Sequence, residues 1–291
     1  METKLRNIFV FFLCWFLVPI NATIYTVEKF HQIKHFLQEK SNNICDDTSV
    51  CFFDIDFTLI HPTLSGFQYK NIMEHKDSFF SDLPDEFKDP DLIDTAVTLA
   101  MNDLQSSLVD ESLMELILYL RTKDIKLFGL TANMTLPFTD VMSRRLKKLT
   151  ELGIEFSKPF EETIFILQGF ESTFGGCPTF NQGVIFTNGE SRSIKKGKVL
   201  VNFLRFKNIT PLSIVVIDDN IENLRDIEKM LTANGMKDIR FVGFYFTGAK
   251  QYPQVSCSYN QYVKQWLPYL SRALELKKKH GFSSGVNKDV P

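Results

Sequence analysis

The chain has little net charge, few cysteines and no apolar run of membrane-spanning length. A formal charge of −2 over 291 residues offers no electrostatic footprint for a nucleic acid or an anionic membrane surface. The five histidines and five cysteines show no zinc-site spacing, and no glycine-rich nucleotide loop is present. An EF-hand loop counted from Asp54 fails at its twelfth position, which is Ser65 rather than Glu. There is no internal repeat and no long low-complexity segment. The longest apolar run, residues 8–20, follows Lys4 and Arg6. It fits the about 7–15 residues of a secretory signal core and falls short of the ~20 that a membrane span needs. Residues 1–22 are therefore expected to be a signal peptide that exports the chain to a periplasm or the medium, the alternative being an uncleaved membrane anchor. After its cleavage no stable membrane association is expected.

What is present is a globular composition, 44% hydrophobic with 28 Phe, enough for one sizeable α/β core with insertions or for two small domains. Cys45, Cys51, Cys177 and Cys257 remain after the leader, and their pairing is not legible. Asn133-Met134-Thr135 and Asn208-Ile209-Thr210 match the glycosylation pattern, the first beside the candidate site. A glycan there would obstruct it, which favours a bacterial envelope.

Three apolar runs end in polar groups. Val50-Cys51-Phe52-Phe53 meets Asp54 and Asp56, with Thr58 two further on. The run at residues 126–130 meets Thr131-Ala132-Asn133, and Ile214-Val215-Val216-Ile217 meets Asp218-Asp219. Such runs read as buried strands, and helical patterns between them give the βαβ grammar of a doubly wound parallel sheet. The carboxyl ends of those strands converge on one crevice. Two carboxylates there can share a divalent cation, or divide the work between nucleophile and proton carrier.

Residues 23–39 show helical spacing. Residues 61–109, punctuated by prolines, read as an inserted, mainly helical cap with its clearest helix at 91–104. Phe67, Tyr69, Phe79 and Phe80 in it suit either a substrate pocket or simple packing. The core then comprises 23–60 and 110–280, closing with a long helix around Trp266. Residues 158–190 read as an edge strand plus a small β insertion, and 281–291 as a disordered tail. The basic cluster at residues 144–148 reads as a solvated helix face. Lys195, Lys196 and Lys198 open a helix whose macrodipole opposes them, so at least one needs an anionic partner.

In order, Asp54-Ile55-Asp56-Phe57-Thr58-Leu59, Thr131, Lys196-Gly197 and Asp218-Asp219 followed by Asn223 resemble the four motifs of the haloacid dehalogenase (HAD) superfamily. Within it, the chain resembles a poorly characterised bacterial group of secreted members. The resemblance covers about residues 50–246 and implies a Rossmann-like HAD fold and a Mg²⁺-dependent phosphatase acting on a small-molecule phosphate ester. It makes Asp54 the nucleophile and a metal ligand. Asp56 becomes the general acid/base, its backbone carbonyl also on the metal. Thr131, Ala132 and Lys196 would bind the phosphate, Asp219 would complete the metal site, and Asp218 and Asn223 would support it. Asp56 separates this chain from dehalogenase-type members, which lack it, and from ion-pumping ATPases, which carry Thr there.

Two departures stand out. Phe57 occupies a position where many members have glycine, and Lys195 or Lys198 lies close enough to replace Lys196. The alternatives are a catalytically silent HAD-fold binding or host-interaction protein, and a sugar-transferring enzyme that would leave Thr131 and the second Asp pair unexplained. Substrate identity and oligomeric state are not legible.

Overall fold

The computed structural model describes residues 23–39, 44, 47–172, 174–189, 194–252 and 254–280. The expected leader, the expected tail and Cys45 lie outside the described residues. The chain opens with β1 (Thr23–Val27) and α1 (Phe30–Glu39) before the central strand β2 (Val50–Phe53). Then come β3 (Ile60–Pro62), α2 (Tyr69–Asp82), α3 (Pro90–Asp103) and β4 (Ser106–Leu108). Helix α4 (Leu113–Thr122) leads into β5 (Lys126–Thr131) and α5 (Val141–Glu151), followed by the short strands β6 (Ile164–Ile166), β7 (Thr179–Asn181) and β8 (Val184–Phe186). The remainder is α6 (Lys196–Phe206), β9 (Ser213–Asp218), α7 (Ile221–Ala233), β10 (Arg240–Phe246) and α8 (Tyr259–His280).

Eight strands form one sheet in the order β1-β10-β9-β2-β5-β8-β7-β6. It is parallel from β1 to β8 and antiparallel from β8 to β6. Alternate side chains of β2 serve opposite faces, as strand pleating requires. Cys51 and Phe53 join α1 and α4 in one apolar cluster, whereas Val50 and Phe52 join α6 and α7 in another. Helices thus cover both faces of a mainly parallel sheet, a doubly wound, Rossmann-like α/β architecture. Much of the phenylalanine load fills the second face: the rings of Phe165 and Phe180 stack at 4.7 Å, and that of Phe203 lies 5.5 Å from Phe180.

The strands β3 and β4 pair antiparallel and carry the chain out of the core and back, with α2 and α3 between them. A third apolar cluster joins Phe67, Phe79, Leu92 and Leu99 to Tyr262, Trp266 and Leu270 of α8. The closing helix, expected with the core, therefore packs on the cap helices. Its Trp266 Nε1 donates to the Gly66 carbonyl at 3.0 Å, and Gly66 N donates to Gln265 Oε1 at 2.7 Å.

One further expectation changes. Residues 23–27 form a strand rather than the start of a helix, because Thr23-Ile24-Tyr25-Thr26-Val27 completes the sheet edge beside β10, and β-branched and aromatic residues suit a pleated surface. The region around 158–190, read as an edge strand plus a small β insertion, places β8 beside β5 and continues the sheet through β7 to β6. Among the described residues, no helix is long and apolar enough to cross a membrane, and Cys177 and Cys257 are free thiols.

Candidate active site

Strand register sets the site. Phe53 lies opposite Ile217 of β9 and Gly129 of β5. The next residues, Asp54 and Asp218, therefore leave the sheet side by side, and Thr131 emerges on the other flank. The chain runs from β2 outward to β5 and β8, then returns to β9 on the opposite side. That reversal of strand order opens a crevice at the carboxyl edge.

Beyond Asp54 the backbone turns tightly. Phe57 holds φ +62°, a conformation that costs a residue with a side chain and that glycine adopts freely. Its N–H donates to the Ile60 carbonyl at 2.8 Å, while its ring packs edge-on against Tyr69 of α2 at 5.8 Å. This turn brings Thr58 back beneath the site. Thr58 Oγ1 donates to Asp54 Oδ2 at 2.8 Å and accepts from Asp219 N at 3.0 Å. One buried hydroxyl thus joins the first and last carboxylate segments.

The lysine is resolved by burial. Lys196 is 2% exposed, and its Nζ lies 2.6 Å from Asp54 Oδ1 and 2.8 Å from Asp218 Oδ2. Lys195 and Lys198 are exposed, and Lys198 lies over the Phe170 ring. Glycine must follow Lys196: a Cβ at 197 would stand 2.7 Å from the Asp226 carbonyl oxygen, while the Gly197 N–H donates to Asp226 Oδ2 at 2.9 Å. Asp218 is held from its other oxygen by Asn220 N at 2.9 Å and Asn223 Nδ2 at 3.2 Å.

Three carboxylates, Asp54, Asp218 and Asp219, offer oxygens that all lie within 4.8 Å of one another, and Lys196 reaches the first two. Burial, with Asp218 adding to it, outweighs the pull of Lys196 and leaves the Asp54 carboxyl raised to about 7. A cluster of carboxylate oxygens, all hard donors, fits Mg²⁺. Asp218, expected only to support the site, belongs to this cluster.

Asp56 faces elsewhere. Its carboxylate accepts from Arg145 Nη2 at 2.8 Å on both oxygens and from Asn133 Nδ2 at 2.8 Å. Its side chain is not one of the three carboxylates that gather beside Lys196. Asn133 also reaches Thr131 Oγ1 through N at 3.3 Å and Nδ2 at 3.2 Å. Buried and so engaged, Asn133 presents no amide for a glycan in the folded protein.

The expected solvated face at residues 144–148 is largely a docking face. Arg145 is fully buried, Arg144 pairs with Asp103 of α3, and Lys148 Nζ donates to the Met101 carbonyl at 2.7 Å. Of the cluster's cations, Lys147 keeps to solvent, with a side chain 77% exposed. The overlooked signal was periodicity. Arg145 stands four residues after Val141 and four before Leu149, on the stripe that α5 buries.

Asp54, Asp56, Thr131, Ala132, Lys196, Asp219 and Asn223 line one cavity of about 280 Å³. Phe57 and Asn133 join them, and the cap contributes Asp94, Val97, Thr98 and Met101 from α3. The cap aromatics Phe67 and Phe79 pack internally instead.

The chain is similar to two rickettsial proteins, both described as uncharacterized. One, from Rickettsia prowazekii, is 27% identical over 128 residues, covering 41% of this chain and 40% of the relative. The other, from Rickettsia felis, is 30% identical over 105 residues, covering 35% and 32%. The chain thus spans less than half the length of each relative in the matched stretch. Among solved structures, it is similar to the HAD domain of effector protein Lem4 from Legionella pneumophila, an inactive mutant. The sequence identity is 11% and the TM-score 0.35, with 80% of this chain and 97% of that one covered. The model of the family described as protein of unknown function (DUF2608) matches residues 26–278, so the chain belongs to that family.

Proposed function

We propose that the protein is a Mg²⁺-dependent phosphatase of the HAD superfamily, exported to a bacterial periplasm or the medium, that hydrolyses a small phosphate monoester. The observation that carries this is the meeting of Asp54, Lys196, Asp218, Asp219 and Thr131 in one crevice, with Asp56 on its rim. Asp54, Asp218 and Asp219, with the Asp56 backbone carbonyl, would hold Mg²⁺, which when bound neutralises phosphate charge and polarises the phosphoryl group.

The chain's own groups divide the remaining work. Asp54 attacks phosphorus and forms an aspartyl-phosphate, while Asp56 gives a proton to the departing alkoxide. Asp56 then takes a proton from water as that water attacks the phosphorus, releasing phosphate and restoring Asp54. Thr131 Oγ1 and the Ala132 backbone face the phosphoryl oxygens, and Lys196 offsets charge on nucleophile and phosphate together. A cavity of about 280 Å³ roofed by α3 suits a small ester.

The test is hydrolysis of p-nitrophenyl phosphate, then of a panel of natural monoesters, by protein lacking residues 1–22. Turnover with Mg²⁺ that is lost in EDTA and in Asp54→Asn supports the reading. Equal turnover in wild type and Asp54→Asn overturns it, as does a folded wild type inert across the panel. The latter result would leave a binding protein on the same fold.

A further inference from the structure

Arg145 has no role in the phosphatase chemistry as set out above, yet it is the largest fully buried side chain among the described residues. It sits behind Asp56, outside the cavity lining, with Nη2 shared between both carboxylate oxygens. Its Nε and Nη1 make no hydrogen bond among the described residues. A guanidinium buried with part of its donor set unmet costs the fold free energy, and a buried ion pair is poor evidence of a stabilising device. The flanking buried positions on α5, Val141 and Leu149, are apolar, so a hydrocarbon at 145 would satisfy packing alone.

What the charge does is fix a carboxylate. Arg145 grips both Asp56 oxygens, and Asn133 adds a bond to Oδ2 from the side of β5. Asn133 is braced in turn. Its Oδ1 accepts from Asn102 Nδ2 of α3 at 3.0 Å, and Asn102 is anchored by a second bond to the Thr98 carbonyl at 2.7 Å. Proton transfer at one oxygen of a carboxylate needs that oxygen held within hydrogen-bond reach of the reacting atom. Groups that hold a functional side chain from behind orient it, and their loss typically costs about 10–100-fold in function.

We infer that Arg145, together with Asn133, is a positioning residue that fixes the carboxylate of Asp56 at the rim of the pocket. The inference rests on the acid/base role proposed for Asp56. It is therefore tested in a series that also reports on that role.

Arg145→Gln is expected to lower kcat about 10–100-fold while KM stays within about threefold. In the Asp56→Asn background the same substitution is expected to cost less than about twofold, because the group it positions is gone. An equal loss in both backgrounds, or a loss confined to KM, overturns the inference. Where Arg145→Gln does not fold, Arg145→Lys carries the same cycle: it keeps the charge and much of the volume but brings a single nitrogen to two oxygens, and a partial loss that vanishes in Asp56→Asn is expected. A crystal structure of whichever variant folds gives a readout free of turnover. A carboxylate rotated off Asn133 supports positioning, and one unmoved overturns it. Wild-type turnover in Asp56→Asn sinks the acid/base reading itself, a different outcome from an Arg145 loss that persists.

Discussion

Lys196 Nζ lies 2.6 Å from Asp54 Oδ1 although 142 residues separate them in the chain. The contact exists because α6 begins directly over the carboxyl end of β2, and because Gly197 lets that end approach α7. With Asp218 as second partner at 2.8 Å, the ammonium is the positive group that two buried acids share. Lys196→Ala is expected to reduce turnover by about 10²–10³-fold, the scale of losing one electrostatic contact to the reacting group. Lys195→Ala and Lys198→Ala, both at exposed positions, are expected to stay within about twofold, as surface changes do. Parallel kinetics on the three variants check this, and a dominant loss at 198 would refute the assignment.

Burial and the neighbouring Asp218 raise the Asp54 carboxyl to about 7, above the ~3.9 of an unfolded aspartate. Between those values the folded chain binds a proton that the unfolded chain has released. In that window, metal-free stability must fall as pH rises. The expected result is a melting temperature in EDTA that declines from about pH 4 to about pH 7 beyond what other groups cause, and a flatter profile for Asp54→Asn. Mg²⁺ competes with that proton for the same oxygens, so its stabilising effect is expected to be larger at pH 8 than at pH 5. Differential scanning fluorimetry with and without the metal measures both slopes. Equal metal shifts at the two pH values would argue against binding at Asp54.

The parts legible in the sequence were those where one strand and its following residue carry the information. Val50–Phe53 with Asp54, and Ile214-Val215-Val216-Ile217 with Asp218-Asp219, declare themselves because fully apolar strands ending in acids have few readings. The parts that stayed hidden depend on contacts between distant segments. Arg145 looked like surface charge because its neighbours Arg144, Lys147 and Lys148 are also basic, and only the α5 stripe of Val141 and Leu149 marks it as inward. The α8 helix has an amphipathic pattern that says it packs, without saying whether the sheet or the cap receives it. Residues 23–27 carry strand-type residues ahead of a true helix, and a single helical spacing drawn across both concealed the boundary.

Gly197 gives a packing test separate from chemistry. A Cβ there would meet Asp226 Oδ2 at 2.6 Å and the Asp226 backbone oxygen at 2.7 Å, and a backbone atom cannot swing aside. Gly197→Ala is expected to destabilise the protein by about 1–3 kcal/mol, the cost of overpacking a closed contact. Because Lys196 is the preceding residue, turnover is expected to fall along with stability. Urea unfolding measures the first, and a stability within experimental error of wild type would mean that α6 and α7 do not approach this closely.

Phe57 allows the strain of the turn after Asp54 to be separated from its packing. The residue holds φ +62° and lays its ring against Tyr69, so substitution removes a contact and also changes the conformational cost. Phe57→Ala loses the ring but retains a Cβ in the left-handed region, whereas Phe57→Gly loses the ring and the penalty together. The difference between the two variants therefore reports the backbone alone. Phe57→Gly is expected to be the more stable by about 0.5–1 kcal/mol, even though glycine elsewhere loosens a chain. Chemical denaturation of the pair decides it. An alanine variant as stable as the glycine variant, or more so, would mean that the backbone at 57 relaxes out of the left-handed region, and with it the placement of Thr58 beneath Asp54 and Asp219.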